Sequence, residues 1–402
     1  MAGDAYSAKV RRLQQLRAYG MWFVTFAGMA GIYVHIPFCR KACHYCNFHF
    51  STSFNTKDEL VDALIREIQL QTRYLKGHRI ETIYFGGGTP SALPHQDIHQ
   101  ILSTIQSNYK VEPQTEITLE ANPEDITSEN LEAWKVSGIN RLSIGVQAFQ
   151  DDLLQKWNRN HLAQKSIDSI LLAQAAGFEN ISADLIYGGD GLNDEEWIGN
   201  IQKIINFKIP HISAYALTVE PGTVLAHQVQ KGRSIPPDDE QSNRQYQILQ
   251  KMLGENGYQQ YEISNFALPG KESRHNTSYW KGIPYLGIGP SAHSFNGVSR
   301  QWNVSHNIKY THALRNDTIP FEIETLTPQQ RYNEIVMTGL RTAKGIEKDA
   351  VEGLDSSFSQ KLNLAILPYL ENGKVFKNGD GNYALNPEYY FFADGIAAEL
   401  FF

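Results

Sequence analysis

Cysteine is almost absent from this chain. Its 402 residues hold three, all inside the eight positions Cys39-Arg-Lys-Ala-Cys43-His-Tyr-Cys46. With no thiol elsewhere, a disulfide framework is excluded. The sequence also lacks any apolar run near the ~20 residues that span a bilayer, and it has no repeat or low-complexity tract. Nor is there an excess of positive charge: the net charge of −7 gives no general attraction for nucleic acid, and none is expected as a partner. What remains is an ordinary globular composition, 42% hydrophobic and 20% charged, in a chain long enough for one large α/β domain and a smaller one.

Three thiols on one short loop suit an iron–sulfur cluster. A 4Fe–4S cube held by Cys39, Cys43 and Cys46 keeps one iron open to a ligand that is not protein. The rival is a structural zinc site completed by His44 or His49, although such sites usually take their ligands from two separated knuckles. Either set needs a reducing compartment, which points to the cytoplasm. The start of the chain points elsewhere: Lys9, Arg11, Arg12 and Arg17 precede the apolar run 21–28, which mimics a signal peptide. Residues 1–28 are read as a leader, either appended or a start assigned upstream of Met29, with a membrane-surface helix as the alternative.

From Gly31 onward, β-rich runs alternate with helical patterns. Strands are expected at 32–36, 80–85, 116–120, 141–146, 182–187, 212–217 and 259–263. Helices are expected at 57–74, 96–105, 128–136, 163–176, 195–206 and 238–253. Such alternation implies parallel strands with right-handed crossovers, and chemistry on the loops at the strands' C-terminal ends. The cysteines, Gly86-Gly-Gly-Thr-Pro90, Glu120, Gln147 and Asp184 all fall at those ends. Beyond about residue 324 the pattern changes to helices at 328–340 and 358–369, a hairpin over 374–385 turning at Asn378-Gly-Asp-Gly, and an aromatic-rich terminal helix, an order that resembles a winged helix.

The loop Cys39-x3-Cys43-x2-Cys46, led by Tyr33-Val-His-Ile-Pro-Phe and followed one strand later by the glycine-rich run, resembles the radical SAM superfamily. Within it, the wording resembles the branch of the oxygen-independent coproporphyrinogen III oxidases (HemN) and their heme-chaperone paralogues. The resemblance covers nearly all of residues 31–402. It implies an α/β fold, a partial (β/α)6 barrel over 29–300 including a strand extension, and a winged-helix-like α+β domain with its linker over 301–402. It also implies a 4Fe–4S cluster and S-adenosyl-L-methionine. Residue by residue, Gly87, Gly88 and Thr89 match the segment approached by the methionine amino group, Glu120 the acidic strand end, and Gln147 and Asp184 two further cofactor contacts. Arg159 matches the arginine facing the cofactor carboxylate, and Tyr33 the tyrosine before the cluster loop. One stretch departs: where the family reads Tyr-Gly-Leu-Pro-Gly, this chain reads Tyr187-Gly-Gly189-Asp190-Gly.

Two function classes follow, a heme carrier and an oxidative decarboxylase. The oxidases carry a fourth cysteine two residues after the third, where this chain has Phe48. The chaperones share that lack and carry His-Asn-x-x-Tyr-Trp, present as His275-Asn-Thr-Ser-Tyr279-Trp280. His275 is thereby a candidate axial ligand for heme, with Tyr279 and Trp280 as flat surfaces; His35 and His293 are its rivals, and a hydrogen-bonded core histidine is the alternative for His275. The carrier reading implies heme and a heme-acceptor protein as partners, with the inner face of the membrane as a second location and a homodimer as one assembly.

Overall fold

The computed structural model describes residues 28–402, so the expected leader lies outside the described residues. Residues 28–325 and 326–402 are separate compact units. The first is built on six parallel neighbouring strands in chain order: β1 (Met29–Ile36), β2 (Arg79–Gly87), β3 (Lys110–Ala121), β4 (Arg141–Gln147), β5 (Ile181–Tyr187) and β6 (His211–Ala216). Between them run the amphipathic helices α1 (Lys57–Leu70), α2 (His95–Asn108), α3 (Ser128–Ser137), α5 (Ala163–Ala175) and α6 (Asp194–Asn206), with a short α4 (Asp151–Lys156) before α5. One face of the sheet is apolar and packs under the helices: Ile32, Val34, Ile83, Phe85, Leu119, Leu142, Ile144, Ala183, Leu185 and Ile212 are buried there. The alternate residues are Tyr33, His35, Thr82, Tyr84, Glu116, Thr118, Glu120, Arg141, Ser143, Ser182, Asp184, His211 and Ser213. A parallel sheet is normally apolar on both faces. Here the inner face is a polar lumen.

The edges differ from a simple continuation of the alternation. After α7 (Val224–Gln230) and α8 (Asp239–Glu255), the expected strand at 259–263 forms β7 (Gln259–Glu262), but it is antiparallel to β8 (Asn265–Ala267), and β8 is antiparallel to β6. A two-residue connection can only fold back, since a parallel return needs a crossover of a dozen residues or more. After α9 (Arg274–Trp280), the chain returns to the opposite edge, where β9 (Tyr285–Ile288) pairs parallel with β1. Three antiparallel strands, β10 (His293–Phe295), β11 (Ser299–Asn303) and β12 (Phe321–Thr325), complete a twelve-stranded open sheet, with α10 (Asn307–Arg315) between the last two. The pairing of β11 with β12 puts residues 301–325 with the sheet, so the boundary expected at 300 falls at 325.

The second unit opens with α11 (Pro328–Leu340), started by a capping box between Thr327 and Gln330. There follow α12 (Lys348–Glu352), α13 (Ser356–Ala365) and α14 (Leu367–Glu371). The single helix expected over 358–369 is divided, because Pro368 has no N–H for an internal turn and starts a new helix. The hairpin of β13 (Val375–Lys377) and β14 (Tyr383–Leu385) and the terminal α15 (Ala393–Glu399) match the winged-helix order.

One buried carboxylate joins four parts of the first unit. Glu67 of α1 accepts the Gly289 N–H at 2.8 Å, the Asn303 amide at 2.7 Å and the Tyr310 hydroxyl at 2.5 Å. Burial pushes its pKa up to about 7, against these donors. A folded-state pKa above the unfolded value contributes stability that is present at low pH and lost as pH rises toward 7. Thermal melts of wild type and Glu67→Gln should therefore differ most near pH 5, with wild type the more stable, and the gap should narrow up to pH 7 and stay level above it. A gap that widens with pH would mean Glu67 folds as the anion.

Candidate functional site

The three thiols sit on the loop that leaves β1. This loop is pinned at both ends by backbone hydrogen bonds: Cys39 N–H to Ser51 at 3.0 Å, and His44 N–H to Trp157 at 3.1 Å. Cys39 is buried, while Cys43 and Cys46 are partly open. Burial pushes the Cys39 thiol up to about 12, and that of Cys46 upward as well; ligation by a metal replaces those protons. Among the described residues no three of His, Cys, Asp and Glu converge as a single-ion site requires. A four-iron cube makes no such demand, because its ligands stand farther apart than those of one zinc.

The glycine-rich end of β2 lies against this loop. Thr89 donates its hydroxyl to Cys39 Sγ at 3.4 Å, and the Thr89 and Gly88 amides pair with the Phe38 and Ile36 carbonyls at 2.7 and 2.9 Å. A Cβ on Gly88 would lie 2.8 Å from the Phe38 oxygen and 3.0 Å from Cys39 Sγ. Gly87 has φ +111°, and a side chain there would strike the His35 ring. Gly88 is glycine because of the loop it cradles, and Gly87 because of its backbone conformation and the His35 ring beside it.

Arg159 closes the other side. Its Nη1 donates to Cys43 Sγ at 3.3 Å, and its Nη2 to Asn122 Oδ1 at 2.7 Å and the Gly145 carbonyl at 3.1 Å. Its buried Nε has no partner. An orphaned guanidinium N–H beside three thiols is the donor an anionic ligand would take. Gln147 ends β4 with φ +68°, a conformation that costs a non-glycine residue on the order of 1–3 kcal/mol and gathers at functional sites. Deeper in, Glu120 accepts the Tyr84 hydroxyl at 2.8 Å and the Gly87 N–H at 3.2 Å, and Asp184 accepts the Ser143 hydroxyl at 3.1 Å. Burial raises Glu120 to about 7 and Asp184 to about 6. Tyr33 stacks on Tyr84, with ring centres 6.1 Å apart, and reaches His35 Nδ1 at 3.2 Å. The eleven residues matched to the cluster and its cofactor lie on β1 and the thiol loop, in or just after β2, β3, β4 and β5, and on the loop after α4.

His275 belongs to a different place. It lies on α9 against β2, only 2% exposed, with Nδ1 on the Thr82 hydroxyl at 2.8 Å and Nε2 on the Tyr279 hydroxyl at 2.9 Å. Burial lowers its pKa to about 3. As placed, the imidazole has no nitrogen to offer an iron, and its surroundings are those of a hydrogen-bonded core histidine. His35 is likewise engaged, by Tyr33 and by the His49 carbonyl at 2.9 Å. His293 is exposed and stacks on Trp302 at 6.0 Å, and its ring nitrogens make no hydrogen bond among the described residues.

Three participants escaped the sequence reading: Asn122, Tyr84 and Tyr45, whose hydroxyl lies 3.5 Å from Arg159 Nη1. Asn122 binds Arg159 and stands in the Glu120-Ala-Asn-Pro run; Tyr84 links Glu120, Tyr33 and His275 and precedes Gly86 by the two-residue strand period. The variant Asp190 ion-pairs with Lys156 of α4, a surface role.

Residues 33–204 match the radical SAM superfamily, and residues 326–384 match the HemN C-terminal domain. The chain is 36% identical to the heme chaperone HemW of Bacillus subtilis over 80% of its own length and 85% of the chaperone's. It is 34% identical to the mitochondrial radical S-adenosyl methionine domain-containing protein 1 of Mus musculus, over 83% and 73% of the two chains. The coproporphyrinogen III oxidase HemN of Escherichia coli superposes with a TM-score of 0.79 over 92% of this chain and 89% of its own, at 22% identity. That last likeness is one of fold.

Gly88→Ala should remove most of the iron and sulfide that anaerobic reconstitution installs, because the new methyl displaces Cys39. Gly254→Ala on α8, where a Cβ meets nothing within 4 Å, serves as the control. Equal iron content in both variants would separate the glycine turn from the thiol loop.

Proposed function

The chain belongs to the radical SAM superfamily and, within it, to the HemW family, and on that footing we propose that it is a heme chaperone that binds heme and hands it to an acceptor protein. The 36% identity across 85% of a chaperone's length carries this reading. Phe48 supports it: two positions beyond the last thiol, a 66% exposed phenyl ring supplies neither sulfur nor proton where the oxidases have cysteine. Cys39, Cys43 and Cys46 would hold a 4Fe–4S cluster. Arg159, Gln147, Glu120, Asp184, Tyr33 and the turn Gly87-Gly88-Thr89 would hold S-adenosyl-L-methionine, which supplies radical chemistry when bound and reduced. In that arrangement Arg159 would orient the cofactor carboxylate through its spare donor, and the buried Glu120 and Asp184 would present acceptors to it. The compartment is a reducing one, the cytoplasm in a bacterial cell. Among the described residues no helix is long and apolar enough to cross a membrane.

For the heme ligand, the observations favour His293 over His275 and His35. Its ring nitrogens are uncommitted and Trp302 offers a flat neighbour, whereas a ligating imidazole must present a nitrogen to the iron. Titration of anaerobic protein with heme should give about one heme per chain. His293→Ala should lower affinity at least tenfold and shift the absorption band, while His275→Ala in folded protein should leave the band in place. The opposite pattern returns the ligand to His275. With cluster, cofactor and reductant supplied, coproporphyrinogen III should not be decarboxylated; formation of protoporphyrinogen would replace the chaperone reading with the oxidase.

A further inference from the structure

Arg141 is the first residue of β4 and is 1% exposed. Its Nε and Nη1 have no hydrogen-bond partner, and neither does the hydroxyl of Thr118, its register partner on β3 and itself fully buried. The arginine's charge acts on Glu120, Asp184, His211 and His275, which therefore lie within its electrostatic reach. Each of these is engaged elsewhere: Glu120 with Tyr84 and Gly87, Asp184 with Ser143, His211 with Ser182 and Tyr261, His275 with Thr82 and Tyr279. The other lumen carboxylate, Glu116, spends both oxygens on the Arg274 and His275 amides. So a buried guanidinium stands beside an unused hydroxyl, and the groups within its electrostatic reach have already found partners.

Glu120 and Asp184 act on this charge but spend their hydrogen bonds elsewhere, so what the fold leaves unmade is the guanidinium's hydrogen bonding, and a buried donor without a partner is costly. A carboxylate meets that need in one group, since two oxygens match a guanidinium fork and a neighbouring hydroxyl adds a third donor. We propose that Arg141 and Thr118 form a carboxylate-binding site on the floor of the lumen, and, resting here on the heme reading for the source, that the carboxylate is a propionate of bound heme. The near-complete enclosure of both side chains excludes a whole macrocycle from this point.

The test compares heme with heme dimethyl ester, whose propionates are uncharged, on the full-length anaerobic protein. Wild type should bind heme at least tenfold more tightly than the ester, Arg141→Lys should keep part of that preference, and Arg141→Met should bind both alike. Separately, sodium propionate at the ionic strength of a sodium chloride control should raise the melting temperature of wild type and leave Arg141→Met unmoved. In the absence of either ligand, Arg141→Met should melt no lower than wild type. A heme-over-ester preference or a propionate shift that survives in Arg141→Met overturns the site and assigns the floor to ordered water. A propionate shift confined to wild type, with no heme bound, upholds the site and removes heme as its source.

Discussion

A parallel sheet with one polar face persists only if the side chains on that face satisfy one another, and this constraint governs the whole first unit. Leaving a buried donor or acceptor unpaired costs about 1–3 kcal/mol, so the lumen is organised as short relays across adjacent strands. Tyr84 donates a hydrogen bond to Glu120 and Ser143 to Asp184, and Ser182 lies between His211 and Ser213. The histidine motif on α9 is part of the same solution. His275 and the Thr82 hydroxyl share a hydrogen bond, the Tyr279 hydroxyl holds the other ring nitrogen, and Glu116 receives the first amides of the helix. The motif therefore fastens a short helix across the lumen wall.

The thiol loop obeys the same rule from outside the sheet. It contributes no regular structure, so its backbone groups are satisfied by neighbours far along the chain: Asn158 donates to the Ala42 carbonyl at 2.7 Å, and the Leu225 amide to His44 at 2.7 Å. Arg159 then spans the loop, the end of β3 and β4 in a single side chain. A planar five-donor fork can do this and an ammonium cannot. The arginine thus has a mechanical part in shaping the loop as well as a spare N–H facing into it.

Much of the barrel was legible because period-two alternation along the strands and helical spacing between them are local signals, and the thiols announced themselves by their isolation. The edges were not legible. Strands of three to five residues, such as β8, β10 and β11, carry too little pattern to declare their direction, which is set by connection length and by the edge each one reaches. His275 is ambiguous in sequence for a related reason: a histidine beside two aromatics has the same composition whether it faces a ligand or closes a hydrogen-bonded core. Arg141 was invisible, since a basic residue at a strand start ordinarily faces water. Only the register that puts it opposite Thr118, inside the sheet, changes its meaning.

The pairing of β9 with β1 also sets the order of events during synthesis. Residues 31–34 find their partners at 285–288, so one edge of the first strand stays open until most of the unit has left the ribosome. An unpaired strand edge is a template for wrong association, and contacts of such long sequence separation form slowly. The same delay leaves the thiol loop, which follows β1 directly, accessible from that side throughout elongation. Maturation of the nascent chain is therefore a race between occupation of the loop and closure of the sheet beside it.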